Sequence, residues 1–228
     1  MTSLLSYNLM PSVDGHALYK LKTTRSSKKI ERFFGEDAPH DICIAEIKKQ
    51  GLKAILQSKY PLCYFLYHLL EEYSSENLFF FIELEQYDSF QYDSKQQQIA
   101  TAQHIFKTYV AKNSIFELNL EDKVSREVTQ ALEQNKTTCF DSAKRAVYAL
   151  LETSFMRFRI SELFEVMVKE CGELTTEYKE ETKKAAIHRL IDYLTRFNKT
   201  HSPKRYELME TMIHEFCDTY IRTLNLDN

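Results

Sequence analysis

The 228 residues are enough for one large domain, or one domain carrying a substantial extension. A hydrophobic share of 43% with 15 Phe and 14 Tyr excludes wholesale disorder, and a net charge of −3 excludes the basic balance expected of a nucleic-acid binder. Only four Gly and four Pro argue against a turn-rich sheet and for long helices joined briefly.

Five cysteines lie at 43, 63, 139, 171 and 217, an odd set without a Cys-x-x-Cys pair. That pattern predicts a reducing compartment, the cytoplasm, rather than a disulfide framework. The start, Met-Thr-Ser-Leu-Leu-Ser-Tyr, has neither a signal-peptide pattern nor a Met-Gly acylation start. No run approaches the roughly 20 apolar residues a membrane span needs.

Along the chain, residues 1–27 show no period and read as loop or tail. The stretch from Leu18 to Arg32 is basic, with Lys20, Lys22, Arg25, Lys28, Lys29 and Arg32. It reads as a solvated charged segment, or as one attracted to an anionic membrane surface, which would recruit the protein to the inner face of the plasma membrane. Lys28 to Phe34 has the length of one short helix ended by Gly35.

Helical patterning follows almost to the end. Ile42 to Gln50 and Leu52 to Leu56 are short segments. Pro61 suits a first turn, where its missing N–H is no loss. Leu62, Phe65, Leu66, Leu69 and Leu70 then form one buried stripe. Ser74 and Ser75 interrupt the apolar runs, so residues 72–77 read as a tight corner offering Glu76 and Asn77 to solvent. Leu78 to Ile82 is apolar all round and predicts a central helix.

Ile99, Ala102, Phe106, Tyr109 and Val110 mark the next stripe. Asn119 with the acids Glu121 and Asp122 reads as a helix start, whose buried edge is Val124, Val128, Ala131 and Leu132. Phe140, Ala143, Val147, Leu150 and Leu151 follow, then a corner over Ser154 to Phe158. Ser161 caps a helix through Glu170, stopped by Gly172. A helix is expected over Thr176 to Asn198, with Ile187, Leu190, Ile191, Leu194 and Phe197 buried. Ser202 and Pro203 open the last one, with Leu208, Met209, Met212, Ile213, Phe216 and Tyr220 inward. No strand alternation occurs, so the chain reads as all-α.

No catalytic constellation is present. There is no phosphate-cradling Gly-rich loop, no nucleophile elbow and no His-x-x-x-His pair. His214 and Cys217, three apart, fall short of the four ligands of a structural zinc site. Neither cofactor nor metal is expected. Adjacent acids such as Glu71-Glu72 and Glu180-Glu181 read as solvated surface.

Four separated motifs in one order carry a resemblance. They are Tyr73-Ser74-Ser75-Glu76-Asn77-Leu78 with Phe81; Glu117-Leu118-Asn119-Leu120-Glu121; Thr138-Cys139-Phe140-Asp141-Ser142-Ala143; and Leu150 through Ser154-Phe155-Met156-Arg157-Phe158. Together they resemble the RGS domains, regulators of G-protein signalling, over residues 51–170. The resemblance implies an RGS-type bundle of about nine helices, here with two additional C-terminal helices. Residues 1–50 would be an N-terminal extension and 171–228 a two-helix extension packed on the bundle. It also implies a surface of three inter-helix corners gripping the switch regions of a GTP-loaded Gα subunit. Ser74, Glu76 and Asn77 would form the first, Asn119 the second, and Leu150, Thr153, Ser154 and Arg157 the third. The catalytic groups would then lie in the Gα partner, the chain acting as a GTPase activator and not as an enzyme. The family normally has an acid just before the Ser-Tyr/Phe-x-Arg-Phe corner; this chain has Thr153, with Glu152 beside it. The alternative is an RGS-like interaction module or scaffold that keeps the bundle and activates nothing; a helical scaffold unrelated to the family is the third possibility.

Overall fold

The computed structural model describes residues 41–197 and 203–218. The basic stretch Lys20 to Arg32, the short helix over Lys28 to Phe34, the Ser202 cap and Tyr220 all lie outside those residues. Ten α-helices and no strand occur among the described residues. In chain order they are α1 (Ile44–Gln50), α2 (Leu52–Ile55), α3 (Tyr60–Glu71), α4 (Ser75–Ser89), α5 (Lys95–Ile105), α6 (Asp122–Glu133), α7 (Asp141–Arg159), α8 (Glu162–Cys171), α9 (Glu180–Phe197) and α10 (Pro203–Phe216). The fold is an all-α bundle.

Helix α3 is its axis. All five residues of the expected stripe are buried, and Cys63 and Tyr64 with them. A helix buried on that much of its circumference needs neighbours all round. α4, α7, α8 and α9 supply them, α9 most extensively. Each such Leu or Phe contributes roughly 1.5–3 kcal/mol by leaving water. Aromatic edges lock the assembly: Phe65 meets Phe155 and Phe158 with ring centroids at 5.7 and 5.5 Å, and Phe158 meets Phe164 at 5.2 Å.

α4 and α7 lie antiparallel. Lys144 pairs with Glu85 and Asp88 at 2.7 and 2.6 Å, and Phe81 meets Tyr148 at 5.9 Å. That register carries the start of α4 alongside the second half of α7.

Three expectations give way here. No corner interrupts 154–158: α7 runs unbroken from Asp141 to Arg159. Ser154, Phe155 and Phe158 all face the core, and no Gly or Pro stops the helix. The turn comes later, where Ser161 Oγ accepts from Phe164 N–H at 3.3 Å to start α8. α9 begins at Glu180 and not at Thr176. Residues 176–178 are engaged elsewhere: Asp41 N–H donates to Thr176 O at 2.7 Å, and the Tyr178 ring packs on Tyr60 at 5.6 Å. α6 opens at Asp122, so Asn119 lies in the preceding loop and caps nothing. Tertiary tethers hold that loop off the helix: Leu118 N–H donates to Tyr109 O at 2.8 Å, and Phe116 packs on Phe79 at 6.1 Å.

α5 ends differently from its periodicity. Phe106–Val110 widens into a π turn, Ala111 N–H reaching Phe106 O at 2.9 Å, and both Tyr109 and Val110 are buried.

Candidate functional site

The α3–α4 corner is built by backbone geometry. Ser74 N–H donates to Leu69 O at 2.8 Å and Tyr73 N–H to Leu70 O at 3.2 Å. This is the paired six-to-one and five-to-two closure that ends helices with a left-handed residue. That residue is Tyr73, at φ 55, where Gly or Asn is the usual occupant and a bulky side chain is an outlier. The same closure after α6 uses Asn135, at φ 53. The corner thus holds a strained backbone, and Tyr73 stands 66% exposed on it.

Behind Tyr73, the expected exposure fails for Asn77 and holds only in part for Glu76. Asn77 is 6% exposed, and its Nδ2 donates to Ser74 O at 3.2 Å. Ser74 occupies the N-cap position of α4, yet its hydroxyl caps nothing. Ser74 Oγ and Asn77 Oδ1 are buried without a hydrogen bond among the described residues. A buried hydroxyl and a buried amide oxygen left unpaired each cost stability. Glu76 is half-buried, and burial raises its carboxyl above the ordinary value, opposed by the charge of Arg205 on α10.

The link to α7 comes from a residue read from the sequence as solvated surface. Glu72 accepts from Arg157 twice, Nε to Oε1 at 2.6 Å and Nη2 to Oε2 at 2.8 Å. Arg157 Nη2 also donates to Ser154 Oγ at 3.0 Å. A bidentate guanidinium–carboxylate pair fixes orientation as well as distance. The hydrogen bond from Arg157 holds the Glu72 carboxyl below its ordinary value. His68, lowered by its own burial, lies with Nε2 3.2 Å from Glu72 Oε1. No sequence signal joins Glu72 to Arg157, because 85 positions separate them.

Leu150, Ser154 and Arg157 share one face of α7 at i, i+4 and i+7. Leu150 is half-buried, Ser154 buried, and Thr153 exposed with its hydroxyl donating to Ala149 O at 3.0 Å. The Glu72–Arg157 pair ties Arg157 of the expected third group to the α3–α4 corner, two positions before Ser74 of the first. The second is joined through its neighbours. Asn119 is exposed, but buried Leu118 and Phe116 seat its loop, and the Phe116–Phe79 contact falls one turn into α4. No hydrogen bond connects Asn119 to the other seven among the described residues.

A family profile described as Regulator of G protein signaling domain matches residues 51–167. Among curated proteins, the mouse (Mus musculus) "Regulator of G-protein signaling 13" is 28% identical over 135 residues, 58% of this chain and 84% of the relative. Its human (Homo sapiens) counterpart is 25% identical over 134 residues, covering 58% and 83%. The rat (Rattus norvegicus) "Regulator of G-protein signaling 1" is 28% identical over 116 residues, covering 50% and 54%. With more than half its length matched, the chain belongs to the RGS domain family. Its work lies in the regulation of G-protein signalling. No helix among the described residues is long and apolar enough to cross a membrane.

Proposed function

We propose that the rim formed by the α3–α4 corner, the Asn119 loop and the second half of α7 binds the switch regions of a Gα subunit and accelerates its GTP hydrolysis. The carrying observation is the bidentate Glu72–Arg157 pair, which makes one rigid edge from two helices 85 residues apart. Gα subunits hold their own transition-state arginine, so an activator has no bond-breaking to do. It needs only to bind the ordered, transition-state-like switches better than the ground-state ones. A ~100-fold acceleration corresponds to about 2.7 kcal/mol, which two or three hydrogen bonds of roughly 1 kcal/mol each would supply. Asn119 has the chemistry for one of them, an uncharged amide that both donates and accepts.

Asn119→Ala is the cleanest test, because the exposed side chain holds nothing in the fold. Single-turnover GTP hydrolysis by Gα should lose at least tenfold of its stimulation with the unfolding temperature unchanged. Unaltered stimulation would remove Asn119 from the mechanism.

The second reading, a binding module without activation, is favoured by Thr153. A neutral acceptor stands there, and charged acceptors make bonds about twice as strong. Preference for Gα carrying GDP and aluminium fluoride over Gα carrying GDP alone supports activation; equal binding supports the module. Thr153→Asp, on an exposed position of α7, should raise the hydrolysis rate if the missing charge limits it, and no gain would count against that account.

A further inference from the structure

We propose that Tyr193 of α9, beyond the family-matched residues, is a positioning residue that fixes the α3–α4 corner in its Gα-binding shape. Its relevance to Gα rests on the function proposed above; its hold on the corner does not.

Tyr193 OH donates to Leu70 O at 3.0 Å in a buried setting. Leu70 O is the same carbonyl that receives Tyr73 N–H at 3.2 Å. Both of its lone pairs are therefore used, one by the strained residue that makes the turn and one by α9. Helix carbonyls in the last turn have no partner within the helix, so whatever completes Leu70 O helps set where the chain leaves α3. Tyr73 at φ 55 is a conformation the local sequence does not favour. Strain of this kind persists only where the surroundings over-determine it.

The phenol is itself well held. Its ring meets Tyr67 at 6.2 Å and Phe197 at 5.5 Å, and the Arg196 guanidinium lies 5.9 Å from its centroid. Arg196 in turn donates to Tyr67 OH at 2.6 Å and reaches Glu71 at 3.4 Å. Burial pushes the Tyr193 phenol up to about 12, so it stays a neutral donor across the physiological range. These contacts fall on the final turn and a half of α3, directly before Glu72 and Ser74. α9 thereby braces the residues that present the rim.

Tyr193→Phe removes the one hydroxyl and leaves the aromatic packing in place. The matched control is Tyr64→Phe, which deletes the bond to Glu170 at the other half of α3. Native-state hydrogen exchange and binding to Gα·GDP·aluminium fluoride would be measured for both, alongside thermal unfolding. Losing one neutral hydrogen bond predicts about fivefold faster exchange at the Tyr73 and Ser74 amides in Tyr193→Phe. A similar weakening of Gα binding should accompany it. The control should unfold at a lower temperature with neither change. Unaltered exchange at Tyr73 and Ser74, or an equal binding loss in the control, overturns the positioning role. Faster exchange in a protein whose wild-type form binds no Gα would keep the positioning role and refute the Gα partner.

Discussion

Glu72 and Glu76 stand four positions apart on either side of one turn, and their surroundings push them in opposite directions. Arg157 holds Glu72 below the ordinary 4.5, whereas burial lifts Glu76 above the same value. For Glu72 the folded state holds its proton less tightly than the unfolded chain. Its stabilisation is therefore complete above about pH 4.5 and lost as pH falls through the lowered folded value. Arg157 is half exposed, so solvent screening limits the pair to about 0.5–1 kcal/mol. We predict that Glu72→Gln lowers the unfolding temperature at pH 7 and that the gap closes in acid. A gap independent of pH would mean the pair contributes no charge–charge stability. Glu76 has the reverse sign: its ionised form costs stability above its raised value, and the cost fades as pH drops toward 4.5. Glu76→Gln should accordingly stabilise the protein at pH 7 while weakening Gα binding.

Helices here end where local chemistry and tertiary tethers agree. Gly172 closes α8 at φ +77 and ψ 141, a conformation that L side chains avoid. A Cβ there would lie 2.7 Å from Thr175 Oγ1, an atom that would have to move. Gly172→Ala should cost about 1–3 kcal/mol, read as a shift in the urea midpoint without a change of slope. The loop that follows is pinned by Asp41, whose carboxylate accepts from Ile42, Lys59 and Tyr60 N–H groups at 2.8, 2.8 and 2.9 Å. One buried acid thus starts α3 while its own backbone N–H holds the segment ahead of α9.

α3 ties four of its neighbours, α2, α4, α7 and α8, to the C-terminal helix α9. Its largest contact is with α9, whose Ala186, Ile187, Leu190, Leu194 and Phe197 are buried against the core. Removing them would bare several side chains worth roughly 1.5–3 kcal/mol each, against a typical domain stability of about 5–15 kcal/mol. A fragment ending at residue 170 should therefore lose cooperative unfolding, although it spans the family match. A sharp two-state transition in that fragment would show α9 and α10 to be dispensable. The cysteines offer an independent check on the packing. Cys63, Cys139, Cys171 and Cys217 are buried, with burial pushing Cys171 and Cys217 up to about 12, and only Cys43 is partly accessible. A thiol reagent should modify one cysteine rapidly and the other four only at the rate of unfolding.

The stripe Leu62–Phe65–Leu66–Leu69–Leu70, the Ser161 cap and the Gly172 stop were all legible beforehand, because each depends on neighbours within a turn of helix. The order of motifs likewise indicated the family, since it is a property of the linear chain. What stayed hidden involves distance. Glu72 looked like solvated surface until α7 brought Arg157 across 85 positions. Asn77 looked exposed until the bundle closed over it. Ser154 to Phe158 looked like a corner until the core took up Phe155 and Phe158 and kept the helix straight. Asn119 looked like a cap until Leu118 was drawn to Tyr109. Periodicity and capping are short-range physics and can be read one turn at a time. Burial and ion pairing depend on which elements meet, and that is set by the packing of the whole bundle.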